Sequence, residues 1–539
     1  MKKSAIYKLT FLFSAICLLI FSSCESEDTK NRDHLVFRYN EHANITTLDP
    51  AFAKDQRNIW AANQLFTGLV QLDDSLNIKP DIAKNWTISN DGLTYTFNLR
   101  NDVYFHKNAI FGSDSTRTVT AEDFIFSLKR LTDEKIASPG SWIMQNVDFF
   151  NAENDSTLSI KLKQQFPAFL GLLSMKYSSV VPVEIATHNI NLRRNPIGTG
   201  PFKFKRWEEN EKLVFRKNEL FYEKDEAGNR LPYLEAVAVT FLPDKQSEFL
   251  EFAQGNIDFL SGLDPSYKDE ILTATGEIKE KYAHINMITG PYLNTEYLGI
   301  FLDSKTPETQ FLNLRKAINY GFDRKTMIRY LRNNVGIPAE NGFIPQGLPG
   351  FQNLKGYSYD PEKARGLVNE YIAETGDKNP EISISTTANY LDLVEFIQRE
   401  LQKINIKVNI NVMPPSTLLQ QRSAGKLDFF RSSWIADYPD AENYLSLFYS
   451  ENFSPNGPNY THFQSAEYDK LYEQATISNS TKERLNLYRK MDSIIIARAP
   501  IVPLYYDEVV RFTQPNVKGL GINAINLLDL RRVRKVPSN

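Results

Sequence analysis

Residues 381–412 read EISISTTANYLDLVEFIQRELQKINIKVNINV. Three periodicities follow one another in this stretch. EISIS (Glu381–Ser385) has the length and β-branched content of a short strand. From Tyr390 to Ile404 the apolar positions Leu393, Val394, Ile397 and Leu401 fall on one helical face. Ile406, Val408, Ile410 and Val412 then alternate with polar residues, the period of a second strand. Strand, helix and strand at this spacing form a βαβ unit, whose strands run parallel. The fold class is therefore α/β.

Working outward, the same alternation continues on both sides. Upstream, Asp360-Pro361 opens a helix, with the Asp as cap and the Pro in the first turn. Ala364, Leu367, Val368 and Tyr371 form its apolar face. Downstream, Ser416–Gly425 reads as a helix closed by Gly, and Leu427–Ser432 as a strand. From the end of that strand comes SSWIADYPDAENYL (432–445). It packs Trp434, Tyr438 and Tyr444 among Asp437, Asp440 and Glu442, with no Lys, Arg or His between them. Residue types alone allow an acid pair, a metal site, a binding wall or a turn. Position favours a binding wall, because ligand loops of parallel α/β sheets leave the carboxyl ends of strands.

The first half is also mixed. Leu93, Tyr95, Phe97 and Leu99 alternate as a half-buried strand, as do Leu158, Ile160 and Leu162. Thr120-Ala-Glu-Asp123 is a capping-box variant opening a helix with Phe124, Leu128 and Leu131 on one face. FKFKRWEENEKLVFRKN (202–218) reads as a hairpin. The preceding NPIGTGP (195–201) is Gly-rich, but it lacks GxxxxGK[ST] and leads into a strand, which speaks against a phosphate loop.

The chain has 539 residues, 42% of them hydrophobic, and the length suggests three or four units at roughly 150 residues each. Lys2, Lys3 and Lys8 precede thirteen mostly apolar residues, LTFLFSAICLLIF (9–21). That run is short for a membrane span of about 20 residues and fits the core of a secretion signal. Ser22-Ser23-Cys24 follows it, and small residues before a Cys at this point resemble a lipobox, in which Cys24 is lipidated. The expectations are a lipoprotein signal peptide at 1–23 and a flexible tether at 24–32. Cys17 leaves with the signal, so the folded body has no thiol, no disulfide and no Cys metal ligand. Removing 1–23 takes away three lysines and no acid, moving the net charge from −3 to −6. With a single short basic run, RRVRK near the C-terminus, no nucleic-acid partner is expected.

Enzyme signatures are missing. Neither GxSxG nor HExxH occurs, and the six histidines (34, 42, 106, 188, 284 and 462) form no close pair at ligand spacing. The reading is of a non-enzyme with no catalytic residues, no metal and no cofactor. A glycoside hydrolase using paired carboxylates, and a surface lipoprotein without a transport role, are the rivals.

An ordered set of fragments resembles one family throughout the mature chain. They are TLDPAFA (47–53), LFTGLVQLD (65–73), the run 82–106, VTAEDFIFSLKRL (119–131) and NPIGTGPFKFKRW (195–207). YLGIFLDS (297–304), NLRKAINYGFDRKTMI (313–328), SSWIADYPDAENYL (432–445) and APIVPLYYDEVVRF (499–512) continue the set. The chain is similar to extracytoplasmic solute-binding proteins of the oligopeptide/dipeptide-binding type, family 5, the receptors of ABC importers. The segment between Phe105 and Thr120 is longer than the short Gly turn usual there.

The resemblance implies a two-lobed periplasmic-binding-protein fold with a hinge and an extra α+β domain inserted in the first lobe. Lobe I would comprise 33–66, 181–290 and 505–539, the inserted domain 67–180, and lobe II 291–504. It implies a monomeric receptor, lipid-anchored in the periplasmic space or at the cell surface, that hands peptides to a membrane permease. Oligosaccharides or another small solute are the alternative ligands. In peptide-binding relatives the acid of W-x-x-D pairs with the peptide's amino group, and the residues before it run beside the peptide backbone. The matching residues are Asp437 and Trp434, with Ser433 and Ile435 offering main-chain groups. A turn acid at Asp437 and plain core packing at Trp434 are the competing readings. The Arg that dipeptide-type relatives place near the loop read here as STTANYLDL (385–393) is missing from it.

Overall fold

Two long antiparallel strands, Asn286–Ile300 and Ile501–Thr513, run through the whole molecule. A computed structural model describes residues 35–537; the signal, Cys24 and the tether lie outside the described residues. The long pair is in register from Asn286↔Thr513 to Pro291↔Glu508, and pairing resumes at Thr295↔Tyr506. The break between Pro291 and Thr295 divides the ladder in two. Proline has no N–H to give a ladder, which suits Pro291 to the point of interruption.

The two halves carry different neighbours. Beside Asn286–Ile300 lie Phe429–Ile435, then Glu381–Thr386, then Lys407–Val412. Beside Ile501–Thr513 lie Phe259–Ser261, Val36–Asn40, Ala236–Thr240, Lys212–Lys217 and Phe202–Glu208. The result is one mixed sheet split at its centre into two lobes.

The βαβ unit stands as its periodicity dictates. Glu381–Thr386 and Lys407–Val412 pair in parallel, from Glu381↔Lys407 to Thr386↔Val412. The helix between them, Leu391–Gln402, buries Leu393, Val394, Ile397 and Leu401. The helix Pro361–Thr375 starts on Asp360, whose carboxylate accepts from the Lys363 N–H at 3.0 Å. One strand differs from the sequence reading. It covers Phe429–Ile435 rather than 427–432, because Ser433, Trp434 and Ile435 find ladder partners in Glu296, Thr295 and Asn294. Half of the aromatic–acidic cluster therefore begins inside the sheet.

A separate four-stranded antiparallel sheet joins Ala83–Ile88, Thr94–Leu99, Thr157–Leu162 and Val147–Asn154. The helix Ala121–Thr132 covers it, and the Asp123 carboxylate accepts from the Thr120 N–H at 2.9 Å. Phe97, Phe124 and Leu158 belong to the same buried cluster as Phe37 and Phe215 of the main sheet. The longer segment after Phe105 is tied down by Arg117, whose guanidinium bonds Asp123 at 2.7 Å and Glu184 at 2.5 Å. Gly198 and Gly200 back onto the end of the helix Gln56–Leu65. A Cβ on Gly200 would lie 2.4 Å from the Leu65 carbonyl carbon. These glycines serve close backbone approach, and they lead into the hairpin Phe202–Lys217.

Candidate ligand-binding site

A cleft of about 430 Å³ opens where the lobes meet. The helix that begins at Gln56 supplies Ile59, Trp60 and Asn63; the segment Ser174–Tyr177 supplies a second wall; Ile435, Ala436 and Asp437 supply a third. Tyr292, from the interrupted part of the long ladder, also reaches it. One wall thus comes from the strand end the sequence singles out.

Asp437 is the acid at that strand end. Asp437 is exposed to the cleft, which it helps to line. Burial pushes the carboxyl above its ordinary range, and a hydrogen bond from Asn443 works in the opposite sense. Asn443 Nδ2 donates to Asp437 Oδ2 at 3.3 Å, and Asn443 Oδ1 accepts from the Asp437 N–H at 3.2 Å. Among the described residues no Lys, Arg or His lies within ion-pair distance of Asp437. Asn443, on the short helix Glu442–Leu445, is a positioning residue that sequence reading missed. Nothing in the local spacing distinguishes it from its neighbours.

The other expected residues separate. Ile435 lines the cleft beside Asp437 and is 45% exposed. Trp434 and Ser433 do not line it. The Trp434 ring packs on the lobe II core, its Nε1 donates to Asn443 Oδ1 at 2.9 Å, and its carbonyl accepts from the Tyr444 hydroxyl at 2.7 Å. Ser433 sits opposite Glu296 in the ladder. Glu381–Thr386 pairs with this strand only at Phe429 and Phe430. Beyond Phe430, residues 431–435 have a strand on one side alone among the described residues.

The remaining acids of the cluster are internal. Asp440 bonds Arg484 and accepts from the Tyr488 hydroxyl at 2.6 Å. Glu442 is buried and held by the Tyr438 and Tyr472 hydroxyls. Arg484 is 44 residues away in the chain, which is why no base was visible locally.

Across the cleft stands Lys176, in the turn Lys176–Ser178. Burial pulls its ammonium down to about 8. The next residue, Tyr177, is raised to about 12 by burial and then by the charge of Asp437, so the two walls sense each other electrostatically. Another arginine lies beside the 385–393 loop. Arg431 lies 3.3 Å over the Tyr390 ring and bonds Glu296 at 2.5 Å, while its buried Nε has no partner. An arginine reaches this loop from the adjacent strand.

A second constellation superficially suggests nucleophilic chemistry. His462 Nδ1 lies 2.8 Å from Asp303 Oδ2, and Nε2 lies 3.2 Å from Ser454 Oγ. Nε2 also lies 3.0 Å from the Ser454 carbonyl, so the ring nitrogen facing the Ser454 hydroxyl is shared with a backbone acceptor. Ser454 is buried, and the ring is stacked on Phe453. Among the described residues no group of three or more His, Cys, Asp or Glu is arranged to hold a metal ion.

A sheet split into two lobes, with the unpaired acid Asp437 on the wall of the cleft between them, defines a two-lobed binding protein. Residues 77–456 match the family of bacterial extracellular solute-binding proteins, family 5, and the chain belongs to that family. It is 26% identical to a probable di/tripeptide-binding protein 5 of Pseudomonas aeruginosa, over 88% of this chain and 90% of the relative. It is 25% identical to the glutathione-binding protein GsiB of Escherichia coli, over 89% and 90% of the two chains. Among solved structures it is similar to the periplasmic binding protein DppA of Helicobacter pylori in complex with the peptide STSA. That likeness has a TM-score of 0.76 at 26% identity, covering 95% of this chain and all of that one.

Proposed function

We propose that the chain is the peptide receptor of an ABC importer, and that Asp437 anchors the ligand's α-ammonium. The observation that carries this reading is the Asp437 carboxylate, which lines the cleft, is open to it, and has no cation within ion-pair distance among the described residues. Once ligand covers it, an ionised acid needs a cationic partner, and a charge-assisted bond to an ammonium contributes about 1.5–3 kcal/mol. The open strand edge at 431–435 suits an extended peptide, which can add to a sheet through main-chain bonds indifferent to side chains. Ser433 and Ile435 contribute that edge. Trp434 acts from the core, holding Asn443 and through it Asp437.

On this reading the lobes span the segments expected from the sequence, with the hinge at residues 291–295 and their partners 506–508. The protein is a monomer that binds and releases peptide without turnover; the His462 cluster only braces its loop. Lipid on Cys24 tethers it to a bacterial membrane outside the cytoplasm, facing its permease.

Mass spectrometry of the compounds that co-purify with the full chain tests the ligand class. Peptides with free amino termini support it; recovery of sugars alone overturns it. Labelled palmitate should enter the wild-type chain and not Cys24→Ala, and failure to label the wild type refutes the anchor.

A further inference from the structure

We propose that Lys176 is the cleft's receptor for a ligand carboxylate, so that the cleft selects peptides bearing an acidic group near their amino end. The proposal rests on the peptide-receptor reading and adds a charge preference to it. Lys176 lines the same cleft as Asp437. Three ionisable groups neighbour it, Asp81, Asp529 and Arg531, and each is engaged elsewhere. Asp81 accepts from the Gly68 N–H at 3.2 Å and from the Tyr222 hydroxyl. Asp529 is bound by Arg531 at 2.5 Å, and Arg531 also bonds Glu223 at 2.6 Å. None of these acids comes within ion-pair distance of the Lys176 ammonium. Among the described residues the cleft has one further lysine, Lys54, which is exposed.

The backbone holds Lys176 in place. The Ser178 N–H donates to the Met175 carbonyl at 3.0 Å and the Ser179 N–H to that of Lys176 at 3.2 Å. Tyr177 packs so closely on Gly140 that a Cβ there would lie 2.5 Å from its ring. An ammonium half withdrawn from water, with Asp81 and Asp529 favouring its charge from a distance but no ion pair among the described residues, has room for an anion delivered by ligand. A peptide offers two such anions, an acidic side chain and the terminal carboxylate. The walls are complementary: Asp437 fits a cation, and Lys176 fits an anion.

Calorimetry on the full chain tests this with four alanine-based tripeptides, all with free amino groups. They are the free acid, its C-terminal amide, and amides with Glu or Gln at the second position. Wild type should bind the Glu amide or the free acid about tenfold or more tighter than their neutral counterparts, and Lys176→Gln should erase that ratio. Loss of the Glu preference assigns the side chain; loss of the free-acid preference assigns the terminus. Lys176→Arg should retain the ratio, and Lys54→Gln should leave it unchanged. Should Lys176→Gln not fold, the wild-type ratio alone still decides: it should fall as pH rises through about 8. Equal loss for all four peptides, or no charge preference in wild type, overturns the proposal. If none of the four binds, the peptide reading fails first and Lys176 with it.

Discussion

The rings of Trp142 and Tyr438 meet with centroids 6.4 Å apart, joining the segment after the helix Ala121–Thr132 to the loop that carries Asp437. Gly171 completes the contact, since a Cβ on it would sit 3.4 Å from that of Tyr438. Tyr438 thereby joins the buried cluster that contains Phe97, Phe124 and Phe37.

Trp142→Ala should open this contact and speed ligand release. A bound peptide should dissociate roughly tenfold faster, with a smaller effect on association. Stopped-flow displacement measures both rates. In scattering, peptide should contract the wild type and contract the variant less. Unchanged dissociation would mean that closure does not use this contact.

Two glycines should respond to Ala with opposite signs. Gly200→Ala drives a Cβ into the Leu65–Phe66 backbone, at 2.4 and 2.6 Å, and should cost about 2–4 kcal/mol. Gly366, inside the helix Pro361–Thr375, has nothing within 4 Å, and its Ala variant should gain up to about 1 kcal/mol. Denaturant unfolding compares them; equal effects would contradict the packing described here.

Asp492 should make stability pH-dependent. Burial raises its carboxyl to about 7, although the Phe343 N–H donates to it at 2.8 Å. The folded value lies above the unfolded one of about 3.9. The contribution to stability is therefore full below the unfolded value and lost as pH rises through about 7. Asp492→Asn removes the titration and keeps an acceptor. Relative to wild type it should gain on the order of 1–4 kcal/mol between pH 4.5 and 8. A difference independent of pH would show that Asp492 does not titrate in this range.

The parts of the fold legible in the sequence are those set by local periodicity. Leu393, Val394, Ile397 and Leu401 define a helix whatever surrounds them, and parallel pairing of 381–386 with 407–412 follows from the crossover length. The long ladder was not legible, because Asn286–Ile300 and Ile501–Thr513 are more than 200 residues apart and define each other. The same holds for the extension of Phe429–Ile435 into the cluster, which Asn294–Glu296 impose from outside. Asp437 was found because W-x-x-D is a local motif at a strand end. Asn443, Lys176 and Arg431 were not singled out, since their positions beside the cleft or its neighbouring loops come from contacts that spacing does not reveal. Arg484 shows the limit clearly: it answers Asp440 across 44 residues.

The central claim is that Asp437 holds the ligand's ammonium, and one double-mutant cycle tests it directly. Calorimetry compares wild type and Asp437→Asn, each with a free-amine peptide and its N-acetylated form. Asparagine keeps the shape and removes the charge. The substitution should weaken free-amine peptides by roughly 2–4 kcal/mol, about 30- to 1000-fold, because their ammonium is left enclosed and unpaired. It should change the weak binding of acetylated peptides far less, which gives a large coupling energy between Asp437 and the amino group. A coupling near zero would contradict the account and remove Asp437 from that role.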